Sequence, residues 1–243
     1  MQSLYKIVAE QIRGSILGGE YRENEPLPSE RYLTDKHHVS RSTVRQALNL
    51  LKKEDVIYTV HGNGSFVKPQ VFEQPLNHFY SFTDGLKASN TVISNEIYEY
   101  TQLPIDAALA AKLEHPAGAQ FHRLVRIRSA VSYPLMIETT WLPKSRFHRL
   151  ETRVLEGDGS LYDYLSKKYD LFPDSASETF CPVLPTPLEQ ELLKVGPSTP
   201  CIRLERISRE EGAVIEYTSS IVRGDKFVFK VDMQNNQNKR ISA

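Results

Sequence analysis

Two arginines stand two residues apart in the run His122-Arg123-Leu124-Val125-Arg126-Ile127-Arg128. Successive side chains of a strand point to opposite faces, so Arg126 and Arg128 share a face with Leu124. A lone charge on a half-apolar strand fits a solvated face. Two guanidinia on one face also suit a phosphate or carboxylate, which they hold through paired N–H donors. Glu138 shares a face with Met136 and Thr140, and Glu216 lies in the similar run Ile215-Glu216-Tyr217-Thr218. Carboxylates beside such arginines suit sugar hydroxyls or an amine. A helix start at Ser160, after Gly157-Asp158-Gly159, offers N–H groups and a hydroxyl to an anion, or is simple capping. Ser81-Phe82-Thr83-Asp84 reads the same two ways.

A second constellation lies nearer the amino terminus. Arg41, Ser42, Arg45, Gln46 and Asn49 line one side of a helix whose other side carries Val44, Ala47, Leu48 and Leu51. That apolar spacing (i, i+3, i+4, i+7) makes one buried stripe. Arginines four apart repel by a few tenths of a kcal/mol in an isolated helix, and a polyanion offsets that cost. Arg and Gln are also the side chains that read guanine and adenine edges.

The elements that must position these residues follow from periodicity and punctuation. Leu4, Val8, Ile12 and Ile16, with Ile7 beside them, predict a first helix stopped by Gly18-Gly19. Ser29 and Ser40 are candidate N-caps of two further helices, separated by a tight turn at His37-His38-Val39. Val56–Val60 and Ser65–Val67 flank His61-Gly62-Asn63-Gly64, a hairpin signal. Two helices across a tight turn, then a hairpin, make a helix-turn-helix with a wing. Residues 1–68 are therefore expected as a DNA-binding domain. Residues 69–80, with Pro69 and Pro75, are expected as a linker, 81–233 as a strand-rich second domain and 234–243 as a polar tail. Strands are expected at 91–100, 120–129, 134–142, 175–184, 200–209, 213–222 and 226–233, and helices at 105–113, 160–168 and 187–194. An internal echo runs through this half. Arg123-Leu124-Val125-Arg126-Ile127 resembles Arg203-Leu204-Glu205-Arg206-Ile207, and Ile137-Glu138-Thr139-Thr140 resembles Ile215-Glu216-Tyr217-Thr218. Two similar hairpins related by a pseudo-twofold, or chance likeness of two hairpins, would give this pattern.

Leu27-Pro28-Ser29-Glu30-Arg31, Ser40 to Leu48 and Gly62-Asn63-Gly64-Ser65-Phe66-Val67 resemble the winged helix-turn-helix of GntR-family bacterial transcription regulators. The likeness implies DNA contacts at Arg31, Arg41, Thr43 and Arg45, with Ser42 and Gln46 on the same face and His61 and Gly62 at the wing tip. Ser81-Phe82-Thr83, Arg126-Ile127-Arg128, Pro134 to Glu138, Ser160-Leu161-Tyr162-Asp163, Ile215-Glu216-Tyr217 and Arg223 to Phe227 resemble the UTRA effector domain of the HutC subfamily. That resemblance implies an α+β chain: a winged head joined to a chorismate lyase-like antiparallel sheet with flanking helices. In sugar-phosphate sensors of this subfamily, including N-acetylglucosamine-responsive repressors, the matching residues hold phosphate at Thr83, Arg126, Arg128, Ser160 and Tyr162, and sugar at Glu138 and Glu216. A tyrosine of those sensors stands here as Val222. The likeness implies a cytoplasmic homodimeric repressor that binds palindromic double-stranded DNA and a small phosphorylated sugar, such as an amino-sugar 6-phosphate. A carboxylate or unphosphorylated sugar is the other effector reading, and a lyase-like enzyme is a distant one.

Composition narrows the classes. Lys+Arg and Asp+Glu each total 30 in 243 residues, so bulk charge draws the chain to neither nucleic acid nor membrane. From Pro26 to Lys68, seven basic residues face four acidic ones, a local net charge of +3. No run approaches the roughly 18 apolar residues of a membrane span. Cys181 and Cys201 are the two cysteines and are expected as free thiols. No zinc-ligand spacing, catalytic group or cofactor motif is expected.

Overall fold

The computed structural model describes residues 3–17, 19–69, 71–76, 93–130 and 133–233, in two compact units, Met1–Val71 and Phe72–Ala243. Ser81, Phe82 and Thr83 lie outside the described residues, as does the tail 234–243.

In the first unit α1 (Leu4–Leu17), α2 (Glu30–His37) and α3 (Arg41–Lys53) precede a hairpin of β1 (Ile57–Val60) and β2 (Gly64–Val67). Ser29 and Ser40 cap α2 and α3; their hydroxyls accept from the N–H groups of Tyr32 and Thr43, both at 3.2 Å. Each cap satisfies a donor that the helix cannot and contributes about 1 kcal/mol. His38 closes α2 in the left-handed region (φ 52°) and so turns the chain into α3. Leu33, Val44, Ala47 and Leu51 pack on Val8, Ala9, Ile12, Val56, Ile57 and Val67. The buried stripe of α1 differs from the expected one: Leu4 and Ile7 are exposed, and Tyr5 and Ala9 join Val8, Ile12 and Ile16. A strict i+4 series drifts by about 40° per step on a 3.6-residue helix, so its first member leaves the core. In the hairpin, Val60 pairs with Gly64, and the left-handed positions are Gly62 (φ 82°) and Gly64 (φ 101°), not Asn63. The loop therefore takes in residues 61–63 instead of a two-residue Asn-Gly turn. Leu27 N–H donates to Ser65 O at 2.7 Å, and Val67 N–H to Glu25 O at 3.1 Å, which ties residues 25–27 to the edge of β2.

The second unit is a six-stranded antiparallel sheet in the order β4-β5-β6-β9-β8-β7. Its strands are β4 (Ile93–Pro104), β5 (Gln120–Ala130), β6 (Tyr133–Pro143), β7 (Ser175–Val183), β8 (Cys201–Glu210) and β9 (Ala213–Arg223). Helices α4 (Ala107–Leu113), α5 (Leu161–Tyr169) and α6 (Pro187–Leu193) complete it. The chain thus runs β4-α4-β5-β6 and again β7-α6-β8-β9. β6 and β9 meet at the centre, where Thr140 pairs with Thr218, its own counterpart in the sequence echo. A pseudo-twofold passes between these residues, and their hydroxyl oxygens are 3.3 Å apart.

One short strand was not expected. β3 (Phe72–Pro75) pairs in parallel with β10 (Phe227–Lys230), within the segment 69–80 read as a linker. Helices α4 and α6 cover the sheet face that carries Phe121, Val125, Ile137, Tyr217 and Ile221. On the opposite face Leu124 and Leu142 pack under α5, while Ala130, Met136, Leu204 and Val222 pack under the β3–β10 ribbon. Among the described residues no helix is long and apolar enough to cross a membrane, and Cys181 and Cys201 are both free thiols.

Candidate functional site

On the first unit, Arg31, Arg41, Ser42, Arg45, Gln46, His61 and Gly62 are exposed and Thr43 is half-buried. Binary patterning explains this: the residues between them on α3 fill the core. The Arg45 guanidinium donates to both carboxylate oxygens of Glu30, at 2.9 and 3.1 Å, which steadies a long side chain on the exposed face. The hydroxyls of Ser42 and Thr43 lie 2.7 and 2.8 Å from that of Ser40, gathered at the first turn of α3. The helix dipole makes this end electropositive. Together these groups present hydroxyls and guanidinia, a set suited to a phosphate backbone and to base edges.

On the second unit a cavity of about 560 Å³, counting its open mouth, lies on the sheet between α5 and the β3–β10 ribbon. The room inside it for a water-sized sphere is about 50 Å³. Arg126, Arg128, Glu138, Tyr162 and Glu216 line it, so five of the expected effector residues converge. Strand alternation and register bring them there. Arg126 pairs with Glu138 across β5 and β6, and Glu216 lies on the same face of β9.

The charges are buried and matched. Arg126 is 2% exposed, Arg128 4% and Glu138 7%. The Glu138 carboxylate accepts from Arg126 Nη2 and, at 2.9 Å, from Arg128 Nη1. Burial alone would raise the Glu138 carboxyl, but the two guanidinia outweigh it and hold it at about 2. Arg126 Nε and Nη1 are buried with no hydrogen-bond partner. Leaving donors of a buried cation unmet costs stability, and an acceptor within the cavity would relieve that cost. Glu216 accepts from Tyr162 Oη, from Ser208 Oγ at 2.9 Å and from Thr218 Oγ1 at 2.9 Å. Burial, with the Glu216 carboxylate beside it, pushes the Tyr162 phenol far above its ordinary range, so it stays a neutral donor.

Ser160 fills the capping role that its type allowed. Its hydroxyl accepts from Asp163 N–H at 3.3 Å as the N-cap of α5, and it is Leu161 and Tyr162 that line the cavity. The loop before it is held by Asn95, a residue that carries no motif or pattern of its own. Asn95 Nδ2 donates to Gly157 O at 2.8 Å and to Gly159 O at 3.0 Å, while its Oδ1 accepts from Arg128 Nε at 2.9 Å. One buried amide thus ties an arginine of the cavity to the start of α5. Gly159 is sterically required there, since a Cβ would stand 2.3 Å from Val154 O. Gly159→Ala is expected to cost about 1–3 kcal/mol and several degrees of melting temperature. An unchanged thermal denaturation curve would show that the loop is looser than described.

Arg206 of β8, not among the expected effector residues, also lines the cavity and donates through Nε to Glu178 at 2.7 Å. The echo contained the signal, because Arg206 occupies the place of Arg126. Gln74, Met136, Leu204, Thr218, Ser220 and Phe229 complete the polar and apolar walls. Val222 is fully buried and packs with Phe72, Met136 and Phe227 beneath the ribbon.

A profile of the UTRA domain matches residues 88–228, and one of the bacterial regulatory proteins, gntR family, matches residues 4–67. The chain is 30% identical over 228 residues to the HTH-type transcriptional repressor NagR of Bacillus subtilis (strain 168), covering 93% of each. It is 27% identical over 239 residues to the mannosyl-D-glycerate transport/metabolism system repressor MngR of Escherichia coli (strain K12), covering 97% of this chain and 98% of that one. Its structure is similar to that of PhnF from Mycobacterium smegmatis, with a TM-score of 0.66 and 29% identity, over 94% of this chain and 99% of the other.

Proposed function

The chain belongs to the GntR family of bacterial regulatory proteins, in the HutC arrangement of a winged helix-turn-helix joined to a UTRA domain, and from that premise we propose a repressor released from DNA by a phosphorylated sugar. The observation that carries the effector class is the buried Arg126 with two unmet donors beside Arg128, facing a cavity that also holds Glu138 and Glu216. An oxyanion meets the guanidinia through charge-assisted hydrogen bonds of about 1.5–3 kcal/mol each. The carboxylates then accept from hydroxyls, and a ligand without them leaves buried acceptors unmatched, which is how such a site discriminates. MngR, a repressor of a mannosyl-D-glycerate system, also has a sugar derivative as the matter of its system. A carboxylate ligand would engage the same guanidinia and is separated by the panel of compounds described at the end of the Discussion.

The phosphate meets the unmet donors of Arg126, Nε and Nη1, and Tyr162 at the first turn of α5 contacts it. Thr83 and Ser160, which the family likeness adds, complete this group; Thr83 lies outside the described residues. The working form is a cytoplasmic homodimer whose two heads read palindromic half-sites about one helical turn apart. The ligand changes DNA affinity only by its differential affinity for the bound and free states, with a coupling of about 1–3 kcal/mol. Arg31, Arg41, Thr43, Arg45 and the wing tip at His61 and Gly62 contact DNA, with Ser42 and Gln46 beside them.

A duplex selected by the chain from a random pool supplies the probe, read by fluorescence anisotropy. Hexose and disaccharide phosphates are expected to release it. Tightening of the complex would reverse the proposal to corepression. In the same assay Arg41→Ala is expected to weaken binding across sequences and to lower the salt slope by about 1. An unchanged slope would remove Arg41 from the phosphate contacts.

A further inference from the structure

The two ends of the cavity differ in chemistry. Along β5 the α5 cluster includes Leu124 and the ribbon cluster Ala130, with Arg126 and Arg128 between them. At the ribbon end the cavity is bounded by Gln74 and Phe229, which are register partners across the parallel β3–β10 pair. The neighbouring inward positions of the ribbon, Phe72 and Phe227, are aromatic and buried. Gln74 is therefore an amide in an aromatic setting, only 2% exposed. Burying an amide there costs free energy unless its polar atoms are bonded. A primary amide offers two N–H donors and an acceptor oxygen. Nε2 donates to the carbonyl of the next residue, Pro75, at 3.1 Å, which uses one donor of that set. Phe229 is held beside it by Phe180 and Phe227, with ring centroids 4.7 and 5.3 Å away.

We propose that Gln74 and Phe229 form a second subsite of the cavity, which holds the uncharged ring of a phosphorylated sugar while the arginines hold its phosphate; this rests on the anion reading above. A sugar ring carries a rim of hydroxyls and a face of C–H bonds. The rim suits the Gln74 amide, and the face suits the electron-rich face of the Phe229 ring. The placement has a consequence for regulation. β2 of the wing ends at Val67 and β3 begins at Phe72, so residues 68–71 alone join the wing to the strand that carries Gln74. A two-stranded pair is weakly stable by itself. Ligand contacts to Gln74 and Phe229 order this ribbon and thereby act on the chain entering from the wing.

The test uses the full chain, with inorganic phosphate as a probe of the arginine end and a panel of hexose and disaccharide phosphates as probes of both ends. By calorimetry the best phosphosugar is expected to bind about 100-fold more tightly than inorganic phosphate. Gln74→Leu and Phe229→Leu are each expected to weaken the phosphosugar about tenfold or more and to leave inorganic phosphate within about twofold. By hydrogen exchange, the phosphosugar is expected to slow the amides of residues 72–76 in the unsubstituted chain, and inorganic phosphate to leave them unchanged. Equal losses for both probes, or no loss for either, would overturn the subsite. So would binding of inorganic phosphate as tight as that of every phosphosugar. Failure of the chain to bind any of these probes would overturn the anion reading itself.

Discussion

Replacing Arg126 with leucine is expected to lower affinity for a phosphorylated sugar by about 100-fold or more with little change in melting temperature. The affinity term follows from two charge-assisted bonds of about 1.5–3 kcal/mol each, made by Nε and Nη1 to the ligand. The stability term follows from what Arg126 does without ligand. It is the largest fully buried side chain of the chain's described residues, and two of its donors are unmet. Leucine removes that cost, and Glu138 keeps Arg128 as its counter-charge at 2.9 Å. The cost of removing one member of a buried ion cluster comes from the charge it leaves unpartnered, and here the Arg128–Glu138 pair remains matched. Calorimetry beside thermal denaturation separates the two effects. A large fall in melting temperature with unchanged ligand affinity would make Arg126 a structural residue.

Glu138→Ala should act in the opposite sense. It leaves Arg126 and Arg128 buried without the carboxylate they share. Breaking a buried pair from one side costs about 3–5 kcal/mol, roughly 10 °C for a unit of this size. Inorganic phosphate should restore more stability to this variant than to the parent, because the anion replaces the missing charge. The pH dependence has a definite sign. The Glu138 carboxyl is held at about 2 against an ordinary 4.5, so its stabilisation is complete above pH 4.5 and is lost as pH falls towards 2. The acid limb of stability between those values should be shallower in Glu138→Ala. A variant as stable as the parent, indifferent to phosphate and with the same acid limb, would show that the three charges are not a coupled cluster.

The strands and helices around the cavity were legible because each has a local signal. β5, β6, β8 and β9 alternate or run apolar between turn residues, and Ser29, Ser40 and Ser160 each precede a helix that they cap. The echo was legible too, and it proved to be two β-α-β-β halves meeting at Thr140 and Thr218. Of the ribbon, the strand expected at 226–233 was legible and stands as Phe227–Lys230, but its partner strand and their pairing were not. Phe72-Glu73-Gln74-Pro75 is short and ends in proline, and its pairing partner, Phe227–Lys230, lies at the far end of the chain. No local pattern encodes such a parallel pairing. Arg206 was visible in the echo but reads as a solvated charge until the register places it beside the cavity. Asn95 carries no signal, since its role depends on a loop 62 residues away in sequence. Ser160 was legible as a cap, and it caps α5.

The measurement that bears most directly on the central claim is a thermal-shift panel on the full chain. It compares hexose and disaccharide phosphates, glucosamine 6-phosphate and N-acetylglucosamine 6-phosphate among them, with each unphosphorylated parent and with simple carboxylates. Ligand binding to the native state raises the melting temperature by mass action. The expected result is a rise with phosphorylated members alone, lost in Arg126→Leu. No rise with any member, or an equal rise with the unphosphorylated parents, would contradict a phosphate held by Arg126 and Arg128.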